Sequence, residues 1–334
     1  MKKKILFRAD GNSNTGLGHL YRLFALVEMY KAKYDFMFLT REDSVLNVIP
    51  KEYTVKIIPN TVTIKEEPNW LANYFIPENH ILIADGYQFT SFYQKLIKET
   101  GFFLVYIDDL TTEYMYADVV VNHSPHVIKE DFKSENYTQF ALGTKYAMLR
   151  PLFNKAANKK RDIVEIQNAF VCFGGADPYD LSLKATQALL QVNVKKIHVV
   201  LGGAYVHSKI VSLAEENNTL FLHENLNEME LYSLMESCQM AIVPASTILY
   251  EICSVKMPVL CGYYVDNQEL IYKGFVENNA VFKGGDFSNY TSLDFEKEIN
   301  SIISLNCYTE YIQKQSIMFD SGNKDHFLKI LNKK

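Results

Sequence analysis

Residues 8–19 read Arg8-Ala9-Asp10-Gly11-Asn12-Ser13-Asn14-Thr15-Gly16-Leu17-Gly18-His19, a polar loop that carries glycine. In front of it Lys4-Ile5-Leu6-Phe7 is a short apolar run. Behind it Leu20, Leu23, Phe24 and Val27 repeat at the i, i+3, i+4, i+7 spacing of one helix face. The pattern predicts a strand, a loop and a helix in succession. Gly16 and Gly18 permit a sharp backbone turn and the close approach of a ligand. The helix N-terminus offers N–H groups and positive partial charge to a phosphate or an oxygen-rich sugar. His19 falls in the first helical turn, where the dipole disfavours the imidazolium and suits the ring to general-base work. A surface turn also carries Gly-x-Gly, so the choice between the two rests on the rest of the chain.

The design recurs downstream. Tyr34-Asp35-Phe36-Met37-Phe38-Leu39-Thr40 and Val55-Lys56-Ile57-Ile58 read as strands. Ile81-Leu82-Ile83-Ala84 runs into Asp85-Gly86-Tyr87, Phe103-Leu104-Val105-Tyr106-Ile107 into Asp108-Asp109, and Val119-Val120-Val121 into Asn122-His123. Apolar strands with polar tips imply a parallel sheet with helices on both faces. Ligands of such sheets bind outside the carboxyl ends of the strands, where Asp10, Asp85, Tyr87, Asp109 and Asn122 would gather. The aspartates serve equally as helix or turn caps.

The second half opens the same way. Ala169-Phe170-Val171-Cys172-Phe173 precedes Gly174-Gly175-Ala176-Asp177-Pro178 and a helical run over 181–190, and residues 196–201 meet Gly202-Gly203. Met240-Ala241-Ile242-Val243 leads through Pro244-Ala245 to Ser246-Thr247 and a helix with Ile248, Ile252 and Val255 on one side and Glu251 among them. Ser246 or Thr247 suits an N-cap, the helix start suits a diphosphate, and Glu251 suits ribose hydroxyls. After the strand Pro258-Val259-Leu260-Cys261, the amides of Asn267 and Gln268 can read a sugar or uracil edge. The basic, aperiodic residues 154–162 read as a linker between domains.

A chain of 334 residues is long for one core and implies two domains. The expected division is an N-terminal domain at 1–155 and a C-terminal domain at 165–334 with a helical tail. A formal net charge of −5 argues against a polyanion-binding surface, so nucleic acid is not an expected partner. No apolar run reaches the ~20 residues of a membrane helix, and no membrane span is expected. Met1-Lys2-Lys3-Lys4 passes straight into a strand without a secretory signal, so the expected location is the cytoplasm. Five cysteines without Cys-x-x-Cys spacing read as reduced core residues.

With these residues in view the chain resembles the PseG/SpsG family, UDP-sugar hydrolases of pseudaminic acid biosynthesis and their relatives, across most of its length. Carrying the resemblance are Arg8-x-Asp10 with Gly16-Leu17-Gly18-His19, Asp85-Gly86-Tyr87, Ile107-Asp108-Asp109-Leu110, Leu142-Gly143-x-x-Tyr146-Ala147-x-Leu149-Arg150-Pro151, Gly174-Gly175-Ala176-Asp177-Pro178, Ser246-x-x-x-x-Glu251 and Asn267-Gln268. It implies an α/β, GT-B-like fold of two Rossmann-like domains facing across a cleft. It also implies that His19 is the catalytic base that directs water at the anomeric carbon of a UDP-2,4-diacetamido-2,4,6-trideoxy-hexose of altrose type, with inversion. Asp10, Gly16, Gly18, Tyr87, Asn267 and Gln268 form the candidate substrate-binding set, and Gly174, Gly175, Ser246, Thr247 and Glu251 the nucleotide-binding set. Neither a metal nor a cofactor is expected. Pro244-Ala245 and Ala176 depart from the family pattern, and the region after about Phe287 is not accounted for by it. A GT-B glycosyltransferase using a UDP-sugar donor is the main alternative, because the histidine loop is common to both; a non-catalytic nucleotide-sugar-binding protein is the third reading.

Overall fold

Strand β1 (Lys4–Ala9) lies in the interior of a sheet, with Ile5, Leu6, Phe7 and Ala9 wholly buried. The computed structural model describes residues 3–12, 16–305, 307–319 and 322–331. Ser13, Asn14 and Thr15 of the quoted loop, the first two residues and the last three lie outside them. After β1 come α1 (Gly18–Tyr30), β2 (Phe36–Arg41), β3 (Val55–Ile58), α2 (Glu67–Tyr74), β4 (His80–Asp85), α3 (Ser91–Glu99), β5 (Phe103–Ile107), β6 (Tyr114–Met115), β7 (Val119–Asn122), β8 (Lys133–Ser134) and β9 (Gln139–Leu142). Seven of the strands form a parallel sheet in the order β3-β2-β1-β4-β5-β7-β9, and β6 pairs with β8 apart from it. The central strands are apolar on both faces because helices cover both. On α1 the predicted stripe of Leu20, Leu23, Phe24 and Val27 is buried.

The second unit runs through α4 (Pro151–Ala156), β10 (Asn168–Val171), α5 (Leu181–Gln191), β11 (Lys196–Leu201), α6 (Lys209–Glu216), β12 (Leu220–Glu224), α7 (Glu228–Ser237), β13 (Met240–Pro244), α8 (Thr247–Val255), β14 (Val259–Tyr263), α9 (Glu269–Glu277), β15 (Phe282–Asp286), α10 (Ser292–Leu305) and α11 (Thr309–Met318). Its six strands are parallel, in the order β12-β11-β10-β13-β14-β15. In both sheets the chain first builds outward on one side and then crosses to the other. The switch falls between β1 and β4 in the first sheet and between β10 and β13 in the second, and such a reversal opens a crevice at the carboxyl ends of the two strands.

The chain divides into two compact units, the described residues of Met1–Met148 with Gly322–Lys334 and those of Leu149–Ser321. Both boundaries differ from the expected 1–155 and 165–334. The helical tail is not part of the C-terminal domain: α12 (Asn323–Leu331) packs on the first unit, with Phe327 against the rings of Tyr30 and Tyr146 and its carbonyl accepting a hydrogen bond from the Tyr30 hydroxyl at 2.8 Å.

Residues 154–162 are not a free linker either. The Lys256 ammonium donates to the carbonyls of Ala156, Ala157 and Lys159, and the Arg161 guanidinium donates to those of Met235, Glu236, Cys238 and Val255. Arg161, from within the segment, thus satisfies carbonyl ends of α7 and α8, Lys256 from beyond α8 does the same for α4, and Lys159 pairs with Glu236 at 2.8 Å. Among the cysteines Cys172, Cys238, Cys253 and Cys261 are buried thiols, whereas Cys307 is exposed. Among the described residues no helix is long and apolar enough to cross a membrane.

Candidate functional site

In the first unit the polar tips meet at the switch between β1 and β4. His19 opens α1 and is 6% exposed; Asp85 ends β4 and is wholly buried. The His19 Nδ1 lies 2.7 Å from the Asp85 Oδ1. The Arg22 Nη2 is 2.9 Å from the same Nδ1, but both nitrogens converge more closely on the Asp85 Oδ1, which can only accept; with Nδ1–H and Nη2–H both donating to that oxygen, Nε2 is left as the ring's acceptor. Arg22, one turn further along α1, donates from Nε to the Asp85 Oδ2 at 2.9 Å, from Nη2 to the Asp85 Oδ1 at 2.6 Å and from Nη1 to the Asp109 Oδ1 at 2.6 Å. The Asp109 Oδ2 accepts from the Tyr87 hydroxyl at 3.3 Å, and the Tyr87 ring stands edge-on to His19 with centroids 4.8 Å apart.

These contacts set the charges. Burial pushes the Asp109 carboxyl up, but Arg22's charge and hydrogen bond outweigh it and hold the group down at about 2. Asp108, next in the chain but without the guanidinium, is pushed up to about 6 by burial and by the charge of Asp109, against hydrogen bonds from the Thr111 N–H and the Asn122 amide. His123, beyond β7, is pushed down to about 4 by burial and by Arg22. The carboxylates of Asp85 and Asp109 thus share one guanidinium, with an uncharged His123 near them, in a space from which water is largely excluded.

Asp10 sits in a second network. Its Oδ1 accepts from Arg8 at 2.5 Å, the Arg41 N–H at 2.8 Å and the Thr40 hydroxyl at 3.2 Å, and its Oδ2 from Gln88 at 3.0 Å. The wholly buried Arg8 also pairs with Glu67, whose Oε1 takes the Tyr93 hydroxyl as well. Asp10 therefore braces the ends of β1 and β2. Gly16 adopts φ +71°, the left-handed conformation a glycine is needed for, while Gly18 is the first residue of α1.

In the second unit Gly174 and Gly175 follow β10 and are exposed, with Gly174 at φ +82°. Across the switch Ser246 takes the N-cap position of α8 after β13, and its side chain makes no capping hydrogen bond. Thr247 and Glu251 lie one turn apart on the same face of that helix. The Glu251 oxygens accept from the Arg150 Nε at 2.6 Å and Nη2 at 2.7 Å, a two-pronged pair that holds the carboxylate in place. Asp177, buried beside the glycines, accepts from the N–H groups of Leu181 and Ser182 and so caps α5. The Gln268 Oε1 accepts from the Tyr264 N–H at 3.0 Å, which orders the turn bearing Asn267 before α9. Among the described residues no three or more His, Cys, Asp or Glu side chains are grouped as a metal site.

No protein-family profile matches the chain. Two characterised sequences align over most of it. The UDP-2,4-diacetamido-2,4,6-trideoxy-beta-L-altropyranose hydrolase of Campylobacter jejuni is 26% identical over 275 residues, 80% of this chain and 93% of that protein. The spore coat polysaccharide biosynthesis protein SpsG of Bacillus subtilis is 26% identical over 283 residues, 83% of this chain and 82% of that protein. The chain is similar to both proteins over about four-fifths of its length. Its fold is that of the GT-B enzymes: the crystal structure of MurG from Acinetobacter baumannii superposes with a TM-score of 0.66 at 12% identity, covering 99% of this chain and 100% of that one.

The motifs quoted from the sequence fall on the two switch points, the histidine loop and Asp85-Gly86-Tyr87 on the first and the glycine pair and Ser246-Thr247 on the second. Two participants escape the motif reading. Arg22 is a single charge within an apolar helix, three residues after His19, and that position was its only signal. Glu67 enters from α2, in a polar stretch with no apolar period, and nothing in its neighbourhood marks it.

Proposed function

We propose that the protein hydrolyses a UDP-activated 2,4-diacetamido-2,4,6-trideoxy-hexose of altrose type at its anomeric carbon, with inversion, in the biosynthesis of a nonulosonic acid. The reading rests on the His19–Asp85 contact: a ring whose Nδ1–H is spent on a buried carboxylate presents Nε2 as a base. Nε2 takes a proton from water as its oxygen bonds to C1. The bond from C1 to the β-phosphate oxygen breaks, and its electron pair leaves with UDP. The N–H groups of Gly174, Gly175 and the start of α8, with the Ser246 and Thr247 hydroxyls, would hold the diphosphate and stabilise the charge that develops on it. Ribose hydroxyls would use the remaining lone pairs of the Glu251 carboxylate. Tyr87 and Asn267 are assigned to the sugar, Gly16 and Gly18 to close backbone approach, and Asp10 and Gln268 to bracing the loops that make the contacts. The name and reaction of the C. jejuni relative support the substrate class.

The test is incubation of purified protein with the UDP-sugar in 18O-labelled water without any acceptor. Release of UDP, with the label in the free sugar, is expected. The likeness to MurG favours a transferase as the second reading; UDP release that appears only when an acceptor is added would establish it instead.

A further inference from the structure

Resting on the reading of His19 as the base, we infer that Arg22 is a positioning residue that fixes the tautomer of His19 and ties that ring to Tyr87. The guanidinium is 5% exposed and binds both oxygens of Asp85 and one of Asp109. Without it the two carboxylates would stand together in a buried space with no full positive charge between them. With it Asp85 stays an acceptor for the Nδ1–H of His19, and Asp109 an acceptor for the Tyr87 hydroxyl. The chain of contacts His19, Asp85, Arg22, Asp109, Tyr87 closes on itself where the Tyr87 ring meets His19. The base and the sugar-facing phenol therefore cannot reorient independently. Arg22 lies too deep to serve as a general acid or a substrate contact, so its effect passes through the two carboxylates.

The Arg22 Nη2 and the His19 Nδ1, 2.9 Å apart, converge on the same Asp85 oxygen, at 2.6 and 2.7 Å. Loss of the guanidinium frees one side of that oxygen and lets the carboxylate and the ring turn.

The experiment compares wild type, Arg22→Met, Arg22→Lys and Arg22→Ala in UDP release from the UDP-sugar across pH, with folding checked by circular dichroism. Arg22→Met is expected to lower kcat about 10–100-fold, the range for a partner that orients a functional histidine. Arg22→Lys keeps the charge but loses rate, because one ammonium cannot fork between two carboxylates. Guanidinium ion added to Arg22→Ala is expected to restore part of the rate. Wild-type kcat in a folded Arg22→Met protein overturns the inference. Where Arg22→Met does not fold, Arg22→Lys decides: wild-type kcat there overturns it. Should the wild-type protein release no UDP, the functional reading has failed on its own, and imidazole 15N spectra still judge Arg22. A His19 signal with hydrogen on Nδ1 in wild type that redistributes in Arg22→Lys supports the positioning role, and identical signals refute it.

Discussion

The His19 Nδ1 and the Asp85 Oδ1 lie 2.7 Å apart although 66 positions separate them in the chain. Neighbouring parallel strands create that proximity: β1 feeds the helix that begins at Gly18, and β4 ends at Asp85 beside it. Replacing His19 with Gln or Ala is expected to lower turnover by about 10²–10⁴, the usual yield of a general base. UDP affinity, assigned to the second unit, stays near the wild-type value. Kinetics and calorimetry on the same preparations check both halves, and wild-type turnover in His19→Gln would remove the ring from its role.

The fold depends on a second buried pair. Arg8 and Glu67 are both wholly buried, joined at 2.7 and 3.0 Å. Glu67→Gln removes the charge while Arg8 stays buried, and uncompensated burial of one partner costs about 3–5 kcal/mol. Urea denaturation is expected to show a loss of that order. A loss below about 1 kcal/mol would mean that Asp10 alone compensates Arg8.

How much of this was readable in the residues follows from what each type of signal encodes. The strands around both switch points are continuous apolar runs ending in polar tips, so Asp85, Gly174 and Ser246 could be placed from their neighbours. The tail could not: α12 is amphipathic like the helices before it, and nothing in its periodicity says that Phe327 meets Tyr30 across 297 positions. The run 154–162 misled for a related reason, since Arg161 at helix carbonyl ends and a lysine in solvent look alike in one dimension. Arg22 and Glu67 were missed because a partner in another element leaves no local trace.

Asp108 makes a pH prediction. Burial and Asp109 push its carboxyl up from 3.8 to about 6, so between roughly pH 4 and pH 6 the folded protein keeps a proton that the unfolded chain has released. Stability from this group therefore falls as pH rises through that window, by about 3 kcal/mol at 1.36 kcal/mol for each pKa unit. His123, held at about 4 against an ordinary 6.5, works in the opposite direction, losing stability as pH falls. The readout is thus the difference between Asp108→Asn and wild type, which cancels His123. The variant's advantage in melting temperature is expected to grow from pH 4 to pH 7; a constant difference would contradict a raised carboxyl.

Phe327 tests the assignment of the terminal helix. It is 1% exposed and sits among Tyr30, Tyr146 and the core of the first unit. Phe327→Ala is expected to cost about 3–5 kcal/mol, the usual effect of emptying a buried aromatic site. Hydrogen exchange should show the loss in α1 and α12, with α5 and α8 unaffected. Loosening confined to α10 and α11 would return the tail to the second unit.

Gly202 probes the nucleotide side without touching a proposed contact. It follows β11, and a β-carbon there would overlap the carbonyl oxygens of Gly174 and Gly175. The Ala204 N–H already supports the same loop through the Gly175 carbonyl at 3.1 Å. Gly202→Ala therefore has to displace the glycine pair or the strand end behind it, and overpacking of this kind costs about 1–3 kcal/mol. Paid by the loop, that is about a tenfold loss of UDP affinity for every 1.4 kcal/mol. Titration calorimetry with UDP is expected to show a loss of tenfold or more, while the His19 imidazole spectrum stays as in wild type because the first unit is untouched. Full UDP affinity in a folded Gly202→Ala protein would separate the Gly174-Gly175 loop from nucleotide binding and leave α8 to hold the diphosphate alone.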